Sequence, residues 1–207
     1  MPPPPAPAQA HAEGQHRYGH TVIEPSRAFP DAARFRDAMA KLAGGVAVVA
    51  CLDAGGAPRG LLVSSLTSLS TEPPRMLFCV RKGAGAHGPL LSAPRCSLSV
   101  LAEHDADEAA RFSTAALADQ RFSSDGWRLP LGEPPRYDRA LIGLAGSVTQ
   151  RIDAGSHSMF ILDIEEVRTG EARPLVYFDR AFRALTEPRI DDDAARQPGR
   201  ATSELGA

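Results

Sequence analysis

Apolar residues along this chain cluster in short runs rich in Val, Ile and Leu, and between the runs stand groups of Gly, Pro, Asp and Ser. That rhythm predicts short strands joined by turns. GVAVVACL and RGLLVSSL flank the turn residues DAGGAP and read as a hairpin. RMLFCVR and CSLSVLA follow as strands separated by a loop and at most one helical turn, and LIGLAGSVTQRI, SMFILDIEEV and PLVYF complete the set. A helical period shows in DAARFRDAMAKL, where Asp31 follows Pro30 as a cap. There Phe35, Met39 and Leu42 take the i, i+4, i+7 spacing of one buried face before Gly44 and Gly45 end the helix. DADEAARF is a second helical patch, and a Pro- and Gly-rich coil surrounds Trp127. The pattern is mainly β with a few short helices, and about six or seven short strands favour a closed or partly closed antiparallel barrel over a doubly wound sheet.

Composition narrows the reading. With 207 residues and 43% hydrophobic content, one domain with a sizeable core is expected. Its bounds are residues 28–187. Residues 1–27 form a Pro- and Ala-rich arm expected to be disordered, and residues 188–207 a polar flexible tail. A net charge of -2 offers no basic field, so nucleic acid is not an expected partner. No run is apolar enough for a signal peptide or a bilayer span. Cys51, Cys79 and Cys96 are odd in number and sit among apolar neighbours, as reduced core residues of a cytoplasmic protein do.

Several motifs fail on inspection. GAGAHG at residues 83–88 matches G-x-G-x-x-G after a strand, but Pro89 follows at once and Pro94 closes the segment before a full helix can form. Ser64 and Ser65 lack the G-x-S-x-G frame of a nucleophile elbow. No His or Cys spacing suits a metal. One stretch stays unexplained: residues 60–74, GLLVSSLTSLSTEPP, carry six hydroxyl side chains on a strand-like apolar run. If residues 62–65 leave the sheet at a barrel mouth, their backbone groups become free to meet a planar polar ligand, which small Ser side chains allow to approach. Pro73 and Pro74 would stiffen the turn into RMLFCVR, which carries Arg81 and Lys82 to the same rim beside a glycine loop suited to a phosphate. Periodicity alone equally allows a wet face on an edge strand.

The order of elements carries a resemblance. FRDAMAKLAGGVAVVACLDAGGAPRGLLVSSLTSLSTEPPRMLFCVRK is followed by APRCSLSVLAEHD, RFSS, AGSHSMFILDIEEV and PLVYFDRAFRAL. Over roughly residues 31–186 this series resembles the flavin reductase family with the FMN-binding split-barrel fold, the short-chain reductase components of two-component flavin monooxygenases. Its F-R-x-A-M helix, G-V-x-V-V strand, S-x-S-x-x-P-P turn and G-x-H element stand in the family's order.

The resemblance implies a split β-barrel, a homodimer with flavin sites near its interface, and hydride transfer from NADH or NADPH to FMN or FAD. It also implies a flavin-dependent monooxygenase as partner, with a non-catalytic flavin storage or sensing protein of the same fold as the alternative. Matched by position, the ring-binding segment is Leu62, Val63, Ser64 and Ser65, with Ser68 and Ser70 on the turn behind it. Arg81, Lys82 and Gly83 match the phosphate segment. The G-D-H motif, whose histidine lies beside the nicotinamide, falls on Gly155, Ser156 and His157. Three positions depart from the family: Leu62 stands for a common Thr, Ser156 for the Asp, and Phe182 for a common Tyr at the cofactor site. The loss of the Asp leaves the orientation of His157 in question.

Overall fold

A computed structural model describes residues 30–186, and its first hairpin shows why the apolar runs become strands. The chain forms α1 (Ala32–Met39), β1 (Gly44–Gly45), β2 (Ala47–Leu52) and β3 (Pro58–Val63). Between β2 and β3 the Asp53 carboxylate accepts the amides of Gly55 and Ala57 at 2.9 Å and fixes the turn. Then come β4 (Leu66–Thr71), β5 (Pro74–Arg81), α2 (His87–Ser92), β6 (Arg95–Val100) and α3 (Ala106–Ser113). A 3-10 helix (Ala115–Gln120), β7 (Trp127–Arg128) and β8 (Arg136–Tyr137) lead to the long hairpin of β9 (Ile142–Ala154) and β10 (His157–Thr169). The described chain closes with β11 (Leu175–Phe178) and β12 (Ala181–Ala184).

The main sheet has seven strands in the order β3-β2-β6-β9-β10-β5-β4. Every neighbouring pair in it is antiparallel. A three-stranded sheet β1-β11-β12 lies beside it. β3 and β4 stand at opposite edges of the main sheet, yet only Ser64 and Ser65 join them. Three Cα steps reach at most about 11 Å. The sheet therefore curls until its two edges approach, and no ladder among the described residues bridges them.

β2 is buried on both faces, which accounts for its continuous apolar run. Ala47, Val49 and Cys51 enter the core inside the curl with Phe78, Leu90, Leu98, Phe160 and Leu162. Phe78 and Phe160 stack there at 5.2 Å. Val46 and Val48 face a second core with Phe112, Trp127 and Tyr137. Its buried carboxylate, Glu108, accepts the Trp127 indole N–H at 2.7 Å, and Ser124 and Arg111 occupy its other oxygen. Cys51, Cys79 and Cys96 are free thiols, and burial pushes Cys51 up to about 11.

Two expectations change. α1 ends at Met39, before Leu42, and buries none of its residues: Phe35, Met39 and Leu42 are 55%, 46% and 70% exposed. No described element packs on that face. Polar links hold the helix end instead, through Lys41 to Asp179 at 2.8 Å, Arg180 to Asp37, and the Asp179 amide to the Ala40 carbonyl at 2.7 Å. The run RGLLVSSL is not one strand either, because the chain turns from one sheet edge to the other at Ser64 and Ser65. The expected arm and tail lie outside the described residues. No described helix is long and apolar enough to cross a membrane.

The β9–β10 hairpin crosses its bulge at Gly146, where an added Cβ would sit 1.9 Å from the Asp163 carbonyl oxygen. Backbone cannot yield as a flexible side chain would. Gly146→Ala is therefore expected to cost about 3 kcal/mol or more in urea unfolding.

Candidate functional site

The gap between β3 and β4 opens onto a cavity. Ser65 is stitched to β5, its hydroxyl donating to the Cys79 carbonyl at 2.9 Å and accepting the Cys79 amide at 3.2 Å. Ser64 falls outside both ladders and is exposed. A cavity of about 410 Å³ opens here, lined by residues 61–65 on one side and by residues 79–81 and 83–85 on another. Phe112, Ser113 and Arg121 form a further wall, and His157 closes the rim.

β5 delivers Arg81 to this rim, directly across the ladder from His157. Arg81 makes no ion pair among the described residues. Lys82 points elsewhere, with its ammonium 2.6 Å from Asp153. That hydrogen bond, aided by the Gly155 amide, holds the Asp153 carboxyl below the usual carboxylate range. Residues 83–85, Gly-Ala-Gly, bring backbone to the cavity with no side chain larger than a methyl. A free guanidinium beside a bare turn suits an anion.

His157 opens β10, after a turn in which Gly155 adopts φ +69° and caps the Asp153 carboxylate. Its Nδ1 lies 2.9 Å from the Ser156 hydroxyl. Ser156 thus supplies the neighbour that an Asp would, without its charge.

Of the residues singled out by sequence, Leu62, Val63, Ser64, Ser65, Arg81, Gly83 and His157 share one cavity. Lys82, Ser68 and Ser70 do not line it. Ser68 pairs with Met76 on the edge strand, and the Ser70 hydroxyl accepts the Glu72 amide at 3.2 Å in the turn, so both follow the wet-edge reading. Phe182 lines an adjoining cavity of about 450 Å³ that shares Leu62, Val63 and Ser64. Its ring meets Tyr177 edge to face at 5.6 Å.

Sequence reasoning passed over Phe112, Ser113 and Arg121. The Arg121 guanidinium donates to the carbonyls of Gly60 and Thr114 at 2.9 Å and of Arg111 at 3.2 Å. It lies 5.7 Å over the Phe112 ring, and burial pulls its pKa below the usual value. It ties β3 to α3 and to the 3-10 helix, forming the wall. The only trace in the sequence is the RFSS segment, because one of the carbonyls it gathers, that of Gly60, lies 61 residues away.

Residues 39–186 match the model of the flavin reductase like domain. The chain belongs to this family. Among curated relatives, the FMN reductase (NADH) RutF of Methylorubrum extorquens is 32% identical over 86% of this chain and 86% of its own. The reductase component of the 4-nitrophenol 4-monooxygenase/4-nitrocatechol 2-monooxygenase of Rhodococcus opacus is 30% identical, over 73% of this chain and 80% of its own. Among solved structures, the NADH:FAD oxidoreductase SgcE6 of Streptomyces globisporus, in complex with NAD and FAD fragments, superposes with a TM-score of 0.69 at 26% identity. That match covers 83% of this chain and 99% of the other. The cavity of this flavin reductase family member fits a flavin on its own features: room for a tricyclic ring, backbone freed from the ladders at Ser64, and the unpaired Arg81 beside a bare turn.

The two neighbouring cations should separate in binding. Arg81→Ala is expected to weaken FMN by about 1 to 3 kcal/mol, and Lys82→Ala, already engaged by Asp153, by much less. Fluorescence titration with FMN and with lumiflavin, which lacks the phosphate, reads both effects. Lumiflavin should not respond to either change.

Proposed function

We propose that the chain is an NADH-dependent flavin reductase whose flavin lies in the gap between β3 and β4, with its reduced flavin going to a partner monooxygenase. The observation that carries the reading is the meeting of Ser64, Arg81 and His157 around one cavity of about 410 Å³. The RutF relative supports FMN and NADH as the pair, and the SgcE6 likeness keeps FAD open. The Rhodococcus relative supports the oxygenase partner.

Bound flavin and nicotinamide supply the redox chemistry, a hydride passing from nicotinamide C4 to flavin N5. The protein's task is placement. In this reading the backbone at Ser64 and Ser65, beyond the β2 pairs of Leu62 and Val63, meets the pyrimidine edge of the ring, and Arg81 with the 83–85 turn takes the phosphate. His157, oriented by Ser156, borders the face where the nicotinamide stacks. Such positioning replaces solvent and fixes a reactive geometry without a nucleophile or strong acid. The curled sheet, open along β3 and β4, supports assignment to the split-barrel fold. The free thiols support a reducing, cytoplasmic setting.

A homodimer is supported by the face that the described residues leave bare. Phe35, Met39 and Leu42 are exposed on and just beyond α1, and Met39 and Leu42 border a cavity of about 640 Å³ that reaches Ser64 and Ser65. A second copy covering this face would also close the flavin site. Light scattering should give a dimer at micromolar concentration, and Met39→Asp with Leu42→Asp a monomer with weakened flavin binding. A monomeric native chain contradicts the proposal.

Steady-state oxidation of NADH with added FMN tests the activity itself, and flavin binding without turnover would mark a storage or sensing protein. His157→Ala should raise the NADH KM or slow flavin reduction by about ten-fold, about 1.4 kcal/mol, while flavin affinity stays nearly intact. Stopped-flow reduction of bound flavin separates the two. Unchanged kinetics in a folded variant would make His157 structural.

A further inference from the structure

The turn at residues 83–85 is braced by one side chain, the Ala84 methyl against the core, and space is open around the Cα of Gly85. Its two ends also hang on the start of β10 and the residue just before it. Before the turn, the Lys82 amide donates to the Ser156 carbonyl at 3.0 Å. After it, His87 Nε2 lies 2.9 Å from the Ser158 hydroxyl. These two contacts bracket His157, the first residue of β10, from Ser156 in the preceding turn and Ser158 on the strand.

The second contact is the unusual one. His87 and Ser158 are only 9% and 5% exposed, and neither lines the cavity. The imidazole meets the Phe160 ring edge-on at 6.4 Å, and Phe160 stacks on Phe78 in the core. A buried imidazole and a buried hydroxyl among aromatics are costly unless they meet each other, whereas two apolar groups would fill the space as well. What the polar pair adds is direction: it fixes where α2 starts, and so where the preceding turn lies against β10.

We propose that His87 is a positioning residue which, through Ser158, holds the 83–85 turn against β10 and so sets the preference of the site for a phosphate-bearing flavin over the bare ring. The inference rests on the flavin reductase reading above. His87 touches no ligand in this account. It keeps the turn's backbone and Arg81 on one rigid support with His157.

The test is fluorescence titration of the full chain with FMN and with lumiflavin, in Ser158→Ala, His87→Leu and the double variant. The FMN Kd should rise about three- to ten-fold in either single variant, the span expected for one buried hydrogen bond. The double variant should lose no more than the singles, because the two side chains act as one unit. Lumiflavin affinity should stay unchanged, and His87→Gln, which can still bond Ser158, should recover part of the FMN affinity. A merely structural pair would weaken FMN and lumiflavin together, and that result overturns the proposal, as does an unchanged ratio of the two affinities. If His87→Leu does not fold, the smaller Ser158→Ala change decides by the same two titrations. A native chain that binds neither flavin overturns the functional reading itself; one that prefers FMN and keeps that preference in the variants overturns only the role of His87.

Discussion

A link of two residues between opposite edges of a seven-stranded sheet is the constraint on which the rest of this structure depends. Ser64 and Ser65 cannot span a flat sheet, so the sheet must curl, and curling makes an enclosed core around Phe78 and Phe160. The same link leaves a place where the edges meet without pairing. Backbone groups that a ladder would consume are free at Ser64, and small side chains leave room for a planar ligand. Fold and site are thus consequences of one short connection.

Around that gap the remaining parts fall into place through strand register. Arg81 ends β5 opposite His157 at the start of β10, so a guanidinium and an imidazole are set side by side by the ladder alone. The hairpin turn at Asp153 diverts Lys82 away from the cavity, and Arg121 gathers three carbonyls to build the opposite wall. Among the described residues lining the cavity there is no strained nucleophile or charged dyad. This is what hydride transfer between two cofactors requires of a protein.

Much of this was legible in the sequence, for identifiable reasons. β2, β5, β6, β9 and β10 announce themselves as short apolar runs bounded by turn residues, which at this length read as strands. The hydroxyl run in residues 60–74 held two answers at once: Ser64 and Ser65 belong to the gap, whereas Ser68 and Ser70 belong to a wet edge strand. Periodicity cannot separate these, since both expose every other residue. The bare face of α1 misled for a different cause, because an amphipathic pattern states that a face wants cover without saying which chain supplies it. The tie of Arg121 to β3 and the buried pair of His87 and Ser158 were hidden, as they join residues 61 and 71 apart along the chain.

A crystal structure of the chain with FMN tests the central claim most directly. The account predicts the pyrimidine edge of the ring against the backbone at Ser64 and Ser65, and the phosphate at the 83–85 turn beside Arg81. A ring bound instead in the cavity along α1, among Arg36, Leu42 and Tyr177, with no phosphate contact at Arg81, would contradict it.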